Sequence, residues 1–145
     1  MATVKGANRT ILDALTPATV LDPGLVGGNV RCMIDTYTAD ATEGTGTVIE
    51  MGADLPKGAR VIGLWLTNPD GNATMTVGDA GNAVRYITSV AAGATEYLDM
   101  AGALAYEILT EPDATTPTNQ ILVTTATDTL DTGLVTRLVV LYTIE

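Results

Sequence analysis

The chain predicts an all-β fold: an antiparallel β-sandwich, jelly-roll-like, with an extended N-terminal arm in front of it. Three observations carry this. Threonine and valine are abundant while Ser89 is the only serine, and residues branched at Cβ favour the pleated backbone. Short apolar runs alternate with turns rich in Gly, Pro, Asn and Asp, the spacing of sandwiches and jelly rolls. Hydrophobic residues make up 46% of the 145 and charged residues only 17%, which excludes a disordered chain. That length fits one domain with its own core. With no Phe, one Trp and five Tyr, the core must be built from Val, Leu, Ile, Ala and Met.

Residues 1–28 are the predicted arm and residues 29–145 the sandwich domain. The arm carries Ile11, Leu12, Leu15, Val20, Leu21, Leu25 and Val26, broken by Pro17, Pro23, Gly24, Gly27 and Gly28. It is too apolar to remain solvated at no cost and too punctuated for a long helix or a core of its own, so it needs a surface to lie on. Asn8 could cap two helical turns ending at Leu15.

Strands follow. Val30 to Tyr37 places Val30, Cys32 and Ile34 on one face and Arg31, Met33 and Asp35 on the other. A polar loop leads to a strand over Thr47 to Met51, and Pro56-Lys57-Gly58 turns the chain. Arg60 to Thr67 is apolar on both faces and reads as a central strand, with Trp65 a core residue within it. The run Asn68-Pro69-Asp70-Gly71-Asn72 is a reverse turn, in which Pro presets φ and Gly accepts positive φ. Thr74 to Val77, Val84 to Thr88, Glu96 to Met100, Leu104 to Leu109 and Ile121 to Thr125 are the next strands. Leu134 to Ile144 closes the series, apolar on both faces, and must be paired on both sides to avoid aggregation. The sum is about eight or nine strands.

Chemistry is sparse. There is no histidine, so His-based acid–base catalysis, Ser–His and Cys–His dyads and His metal sites are all excluded. No phosphate-binding loop is present, since the glycines at 44–46 and 78–81 lack its spacing and its lysine. Zinc lacks its ligands. Asp128 with Asp131, and Glu111 with Asp113, could in principle hold calcium. Neither pair has the dense spacing of a dedicated loop, and both are expected to be solvated or to cap turns. No cofactor and no enzymatic activity are expected.

The formal charge is −10, from seven basic and 17 acidic residues. Nucleic-acid binding rests on Lys and Arg at phosphates, and here these are few and scattered. Neither a nucleic acid nor an anionic membrane is an expected partner; a basic protein surface would be. The single cysteine, Cys32, is expected to be a buried inert thiol, and without a disulfide framework nothing points to an oxidising compartment. Asp13 interrupts the longest apolar run near the N-terminus, so no secretory signal is expected, and no run approaches the ~20 residues of a membrane span. Arg85-Tyr86, just after a turn, either anchors an interface or closes a strand-face salt bridge.

Several segments resemble a group of virion proteins of tailed bacteriophages. They are KGANRT near the start, Gly27-Gly28-Asn29-Val30-Arg31 leading into a strand that ends Asp35-Thr36-Tyr37, LPKGARVIGLWL, and ATMTVGD followed by Arg85-Tyr86-Ile87. The resemblance covers roughly residues 1 to 90, and the proteins are called structural, decoration or cement proteins. It implies an all-β subunit that decorates the outside of a capsid, assembled in the bacterial cytoplasm. It further implies a homotrimer whose arm engages its neighbours, and no catalytic residues. The expected partners are the major capsid protein and other copies of the chain, with contacts at Arg9, Ile11, Leu12, Leu15, Val20 and Leu21 of the arm and at Arg85 and Tyr86. A head-fibre base, neck or tail component is the alternative within the virion; a carbohydrate- or calcium-binding module is the alternative outside it.

Overall fold

The computed structural model describes residues 29–40, 42–98 and 119–144. The predicted arm, with its six contact residues, the predicted strand over 104–109 and the pair Glu111 and Asp113 lie outside the described residues.

Among the described residues there are eight strands: β1 (Val30–Thr38), β2 (Val48–Met51), β3 (Ala59–Thr67), β4 (Thr74–Asp79), β5 (Asn82–Val90), β6 (Thr95–Tyr97), β7 (Ile121–Thr127) and β8 (Val135–Ile144). They form two four-stranded antiparallel sheets, ordered β1-β8-β3-β6 and β2-β7-β4-β5. The chain crosses repeatedly between sheets, and only β4 and β5 are neighbours both in sequence and in a sheet. This is the order of a jelly roll, with two Greek keys wound together, as the sequence predicts. The apolar final strand, β8, is paired by β1 on one side and β3 on the other. The strand expected to be central, β3, lies between β8 and β6.

The core fills the space between the sheets and is almost wholly aliphatic. Leu64, Leu66, Leu138 and Val140 from the first sheet meet Met51, Met75, Val77, Ile121 and Val123 from the second. Each such side chain contributes about 1.5–3 kcal/mol through the area it removes from water. Leu55 and Leu130 plug the ends from loops. Asn119 clamps Leu55 from both directions: its Nδ2 donates to the Leu55 carbonyl, and its own carbonyl accepts from the Leu55 amide, each at 3.1 Å.

Two parity changes correct the expectations for single strands. In β1 the face turned inward carries Met33, Asp35 and Tyr37, while Val30, Cys32 and Ile34 face out. Cys32 is therefore exposed, not buried. The reason is the corner with β2. Asp35 Oδ2 accepts the Gly52 amide, the Met33 thioether accepts the Ala53 amide at 3.1 Å, and the Tyr37 hydroxyl donates to Glu43. Inward polar groups that are all satisfied there cost little. In β3 a bulge between Val61 and Gly63 shifts the register against β8. Ala59 and Val61 point inward before it, Leu64 and Leu66 after it, and Trp65 is left on the outer face, 38% exposed, instead of in the core.

The turn after β3 ties the two sheets together. Asp70 is 1% exposed, and its Oδ1 accepts the amides of Asn72 (2.7 Å) and Ala73 (2.8 Å). Its Oδ2 accepts the Asp131 amide, in the loop before β8, at 3.0 Å. Hydrogen bonds from the Ala73 and Asn72 amides hold its carboxyl below the ordinary value of 3.8, outweighing burial, with the Asp131 amide adding in the same direction. Asn68, equally buried, donates to the carbonyls of Ala73 (2.7 Å) and Ala91 (3.2 Å). Asp128 takes a positive φ of 58° and its Oδ1 accepts the Thr129 amide at 2.9 Å, a turn-capping role.

Candidate interaction surface

The outer face of the β1-β8-β3-β6 sheet is the most distinctive surface of the described residues. Register fixes which side chains meet there. Ile34 lies opposite Val139, Val139 opposite Trp65, and Trp65 opposite Tyr97, so one apolar row crosses all four strands. Three steps between strands of about 4.8 Å make that row roughly 14 Å long. The next row holds Cys32, Leu141 and Gly63. A Cβ on Gly63 would stand 3.3 Å from Trp65 Cη2 and 3.6 Å from Leu141 Cβ, so the indole lies over bare backbone beside Leu141. Ile34 is 66% exposed and Tyr97 65%, so the row is open to solvent over most of its length.

Its rims are polar but not acidic. On one side the row Thr36, Arg137, Thr67 and Thr95 crosses the sheet, with the Thr67 and Thr95 hydroxyls 3.0 Å apart. On the other side Val30, Thr143 and Arg60 line up. No Asp or Glu stands on this face of the four strands, in a chain with 17 acidic residues. The only formal charges there are the two arginines.

Chemical equipment is thin elsewhere. Among the described residues no group of three or more Cys, Asp or Glu side chains converges on a point that could hold a metal ion. Among them, too, no helix is long and apolar enough to cross a membrane. The Tyr37 hydroxyl is pushed up to about 12, first by its hydrogen bond to the Glu43 carboxylate and then by burial. It is neutral at physiological pH and fastens Glu43 to β1. Glu43 and Leu130 exchange backbone hydrogen bonds of 2.9 Å in both directions at the same place.

Arg85 and Tyr86 both lie in β5. Arg85 forms an ion pair through Nε with the carboxylate of Asp79, which is itself buried. The strand-face salt bridge is thus present. Tyr86, 7% exposed, belongs to the core. The outward apolar row does have a sequence signal: β3 and β8 are apolar on both faces, and one face of each must then look away from the core. Which one did so depended on the bulge at Val61/Gly63, and short-range pattern carries no mark of it.

The fold recurs in viral particles. No known protein family and no curated protein matches the chain. Among solved structures, a chain of the cyanophage Pam1 capsid asymmetric unit superposes with a TM-score of 0.65 at 23% identity, over 89% of this chain and 95% of that one. A chain of the capsid of Ralstonia phage GP4 gives 0.64 at 17% identity, over 91% and 93%. A chain of the acidic stable capsid of the Helicobacter pylori bacteriophage KHP30 gives 0.53 at 13%, over 79% and 87%. At such identities the likeness establishes a common fold, extending over 79–91% of this chain.

Proposed function

We propose that the chain is a structural virion protein that decorates and stabilises the capsid of a tailed phage, a cement protein acting through protein–protein contacts. A jelly roll alone hosts many functions. The observation that carries the reading is that superposition of 79–91% of the chain on chains of three phage capsids coincides with a resemblance to phage virion-protein motifs over residues 1 to 90. The scarcity of catalytic residue types supports the same reading, because a cement protein needs surfaces and no chemistry. In this reading the subunit is a homotrimer on the capsid exterior, bound to the major capsid protein and to its own copies, after assembly in the host cytoplasm. Arg9, Ile11, Leu12, Leu15, Val20 and Leu21 of the arm make contacts with neighbours. Burial of apolar area, about 25 cal/mol per Å² before the costs of association, supplies the stabilisation, and many attachments per shell multiply it. Neither DNA nor membrane is engaged.

Stoichiometry in purified particles tests the reading. A copy number of the same order as that of the major capsid protein is expected. A single ring of copies at one vertex would overturn decoration and assign the chain to a neck, tail or head-fibre base.

A further inference from the structure

Resting on the reading of the chain as a multimeric virion subunit, we propose that the outer face of the β1-β8-β3-β6 sheet is the seat of a second copy of this chain. The face is preformed, since its apolar row is set by strand register and needs no loop to order. The exposed parts of Val30, Ile34, Trp65 and Tyr97 amount to on the order of 400 Å², the size of the largest apolar patch on an ordinary monomer, which is often functional. With its threonine rims it can form the core of an interface of standard size, about 800 Å² per partner.

Charge selects the occupant. Two copies of a chain with net charge −10 repel wherever carboxylates approach, and a buried unpaired carboxylate costs more still. Copies therefore meet at least cost on a face without any Asp or Glu. A basic foreign surface is the poorer fit, because Arg137 in the threonine rim shares its sign. The same arginine complements the acidic remainder of another copy.

The sequence supplies two reporters in this face, the only tryptophan and the only cysteine. Mass measured by light scattering, Trp65 emission and Cys32 reactivity toward a thiol reagent are followed together for the full chain over a dilution series. The expected result is a multimer in which Cys32 reacts about tenfold slower than in the dissociated chain. Trp65 emission shifts to the red as dilution lowers the mass. Ile34→Glu is expected to run as a monomer with unchanged far-UV circular dichroism and a fast Cys32. A monomeric wild type at every concentration, or an Ile34→Glu variant that is folded and still multimeric, overturns the inference. If that variant fails to fold, the wild type alone decides, for a multimer whose Cys32 reacts as fast as in the diluted chain also overturns it. Deletion of residues 2–28 that exposes Cys32 without changing the mass would assign the face to the chain's own arm, and so overturn it too. Occupancy on shells is scored separately: multimers formed through this face that fail to bind shells would contradict decoration and leave the inference standing.

Discussion

The outer faces of the two sheets come from one chain and one fold, yet they are finished differently. On the β2-β7-β4-β5 sheet the outward residues mix Glu50, Thr76 and Thr124 with Val48 and Leu122, and the Thr74 and Thr127 hydroxyls meet at 2.8 Å. Part of that face is also covered by the chain itself, because the backbone of Asn82 and Ala83 folds over Gly78. The β1-β8-β3-β6 sheet instead presents Ile34, Val139, Trp65 and Tyr97 in a single row without a carboxylate. Antiparallel sheets ordinarily alternate apolar-in with polar-out. The second sheet follows that rule in part, with Val48 and Leu122 set among Glu50 and Thr124. The first departs from it across four strands, and a departure of that width belongs to recognition and not to stability.

Substitutions on the two sheets separate their roles. The largest effect is expected on the self-covered sheet: the Cβ of Gly78→Val would collide with the backbone of Asn82 and Ala83, which cannot yield as a side chain can. A loss of about 3 kcal/mol or more is expected in urea unfolding, or no soluble protein at all.

Next comes the tie between sheets. In Asp70→Asn an amide replaces one carboxylate oxygen, so either the Asp131 amide or the pair from Asn72 and Ala73 loses its acceptor. A loss of about 2 kcal/mol at neutral pH is expected. Since the folded carboxyl is held below its unfolded value, the stabilisation is fully present above the unfolded value, about 3.9. It is lost as pH falls through the folded value. The gap in stability between wild type and Asp70→Asn should therefore close in acid, measured by thermal unfolding across that range.

Trp65→Ser should cost the isolated subunit under about 1 kcal/mol, because the indole lies outside the core. Its expected effect is on association, seen as a fall in mass by light scattering. Smallest of all, Thr124→Val on the other outer face should change stability by less than about 0.5 kcal/mol and leave the mass unaltered. If Thr124→Val instead disrupted association while Trp65→Ser did not, the roles of the two faces would be reversed.

Strand positions were legible in the sequence because turn chemistry punctuates this chain clearly. The Asn68–Asn72 turn and the long apolar β8 lie where the residues place them, and β8 is paired on both sides as its apolar faces require. Parity was less legible. Cys32 and Trp65 read as interior residues because apolar side chains in strands usually are. A bulge turned Trp65 outward, and a corner of satisfied polar groups around Asp35 and Tyr37 turned Cys32 outward. Both are tertiary events, set by the partner strand and not by neighbours in sequence. Arg85 shows the same limit: its residue type does not name its partner, and the ion pair follows only once the β4–β5 fold places Asp79 beside it.

The reading of the chain as a cement protein is tested most directly on shells that lack it. Purified protein is added to such particles, and the temperature at which they open is followed together with the amount bound. Saturable binding over the whole shell and a higher opening temperature are predicted. Particles that bind none of the protein, or that bind it and open at the unchanged temperature, would contradict the account.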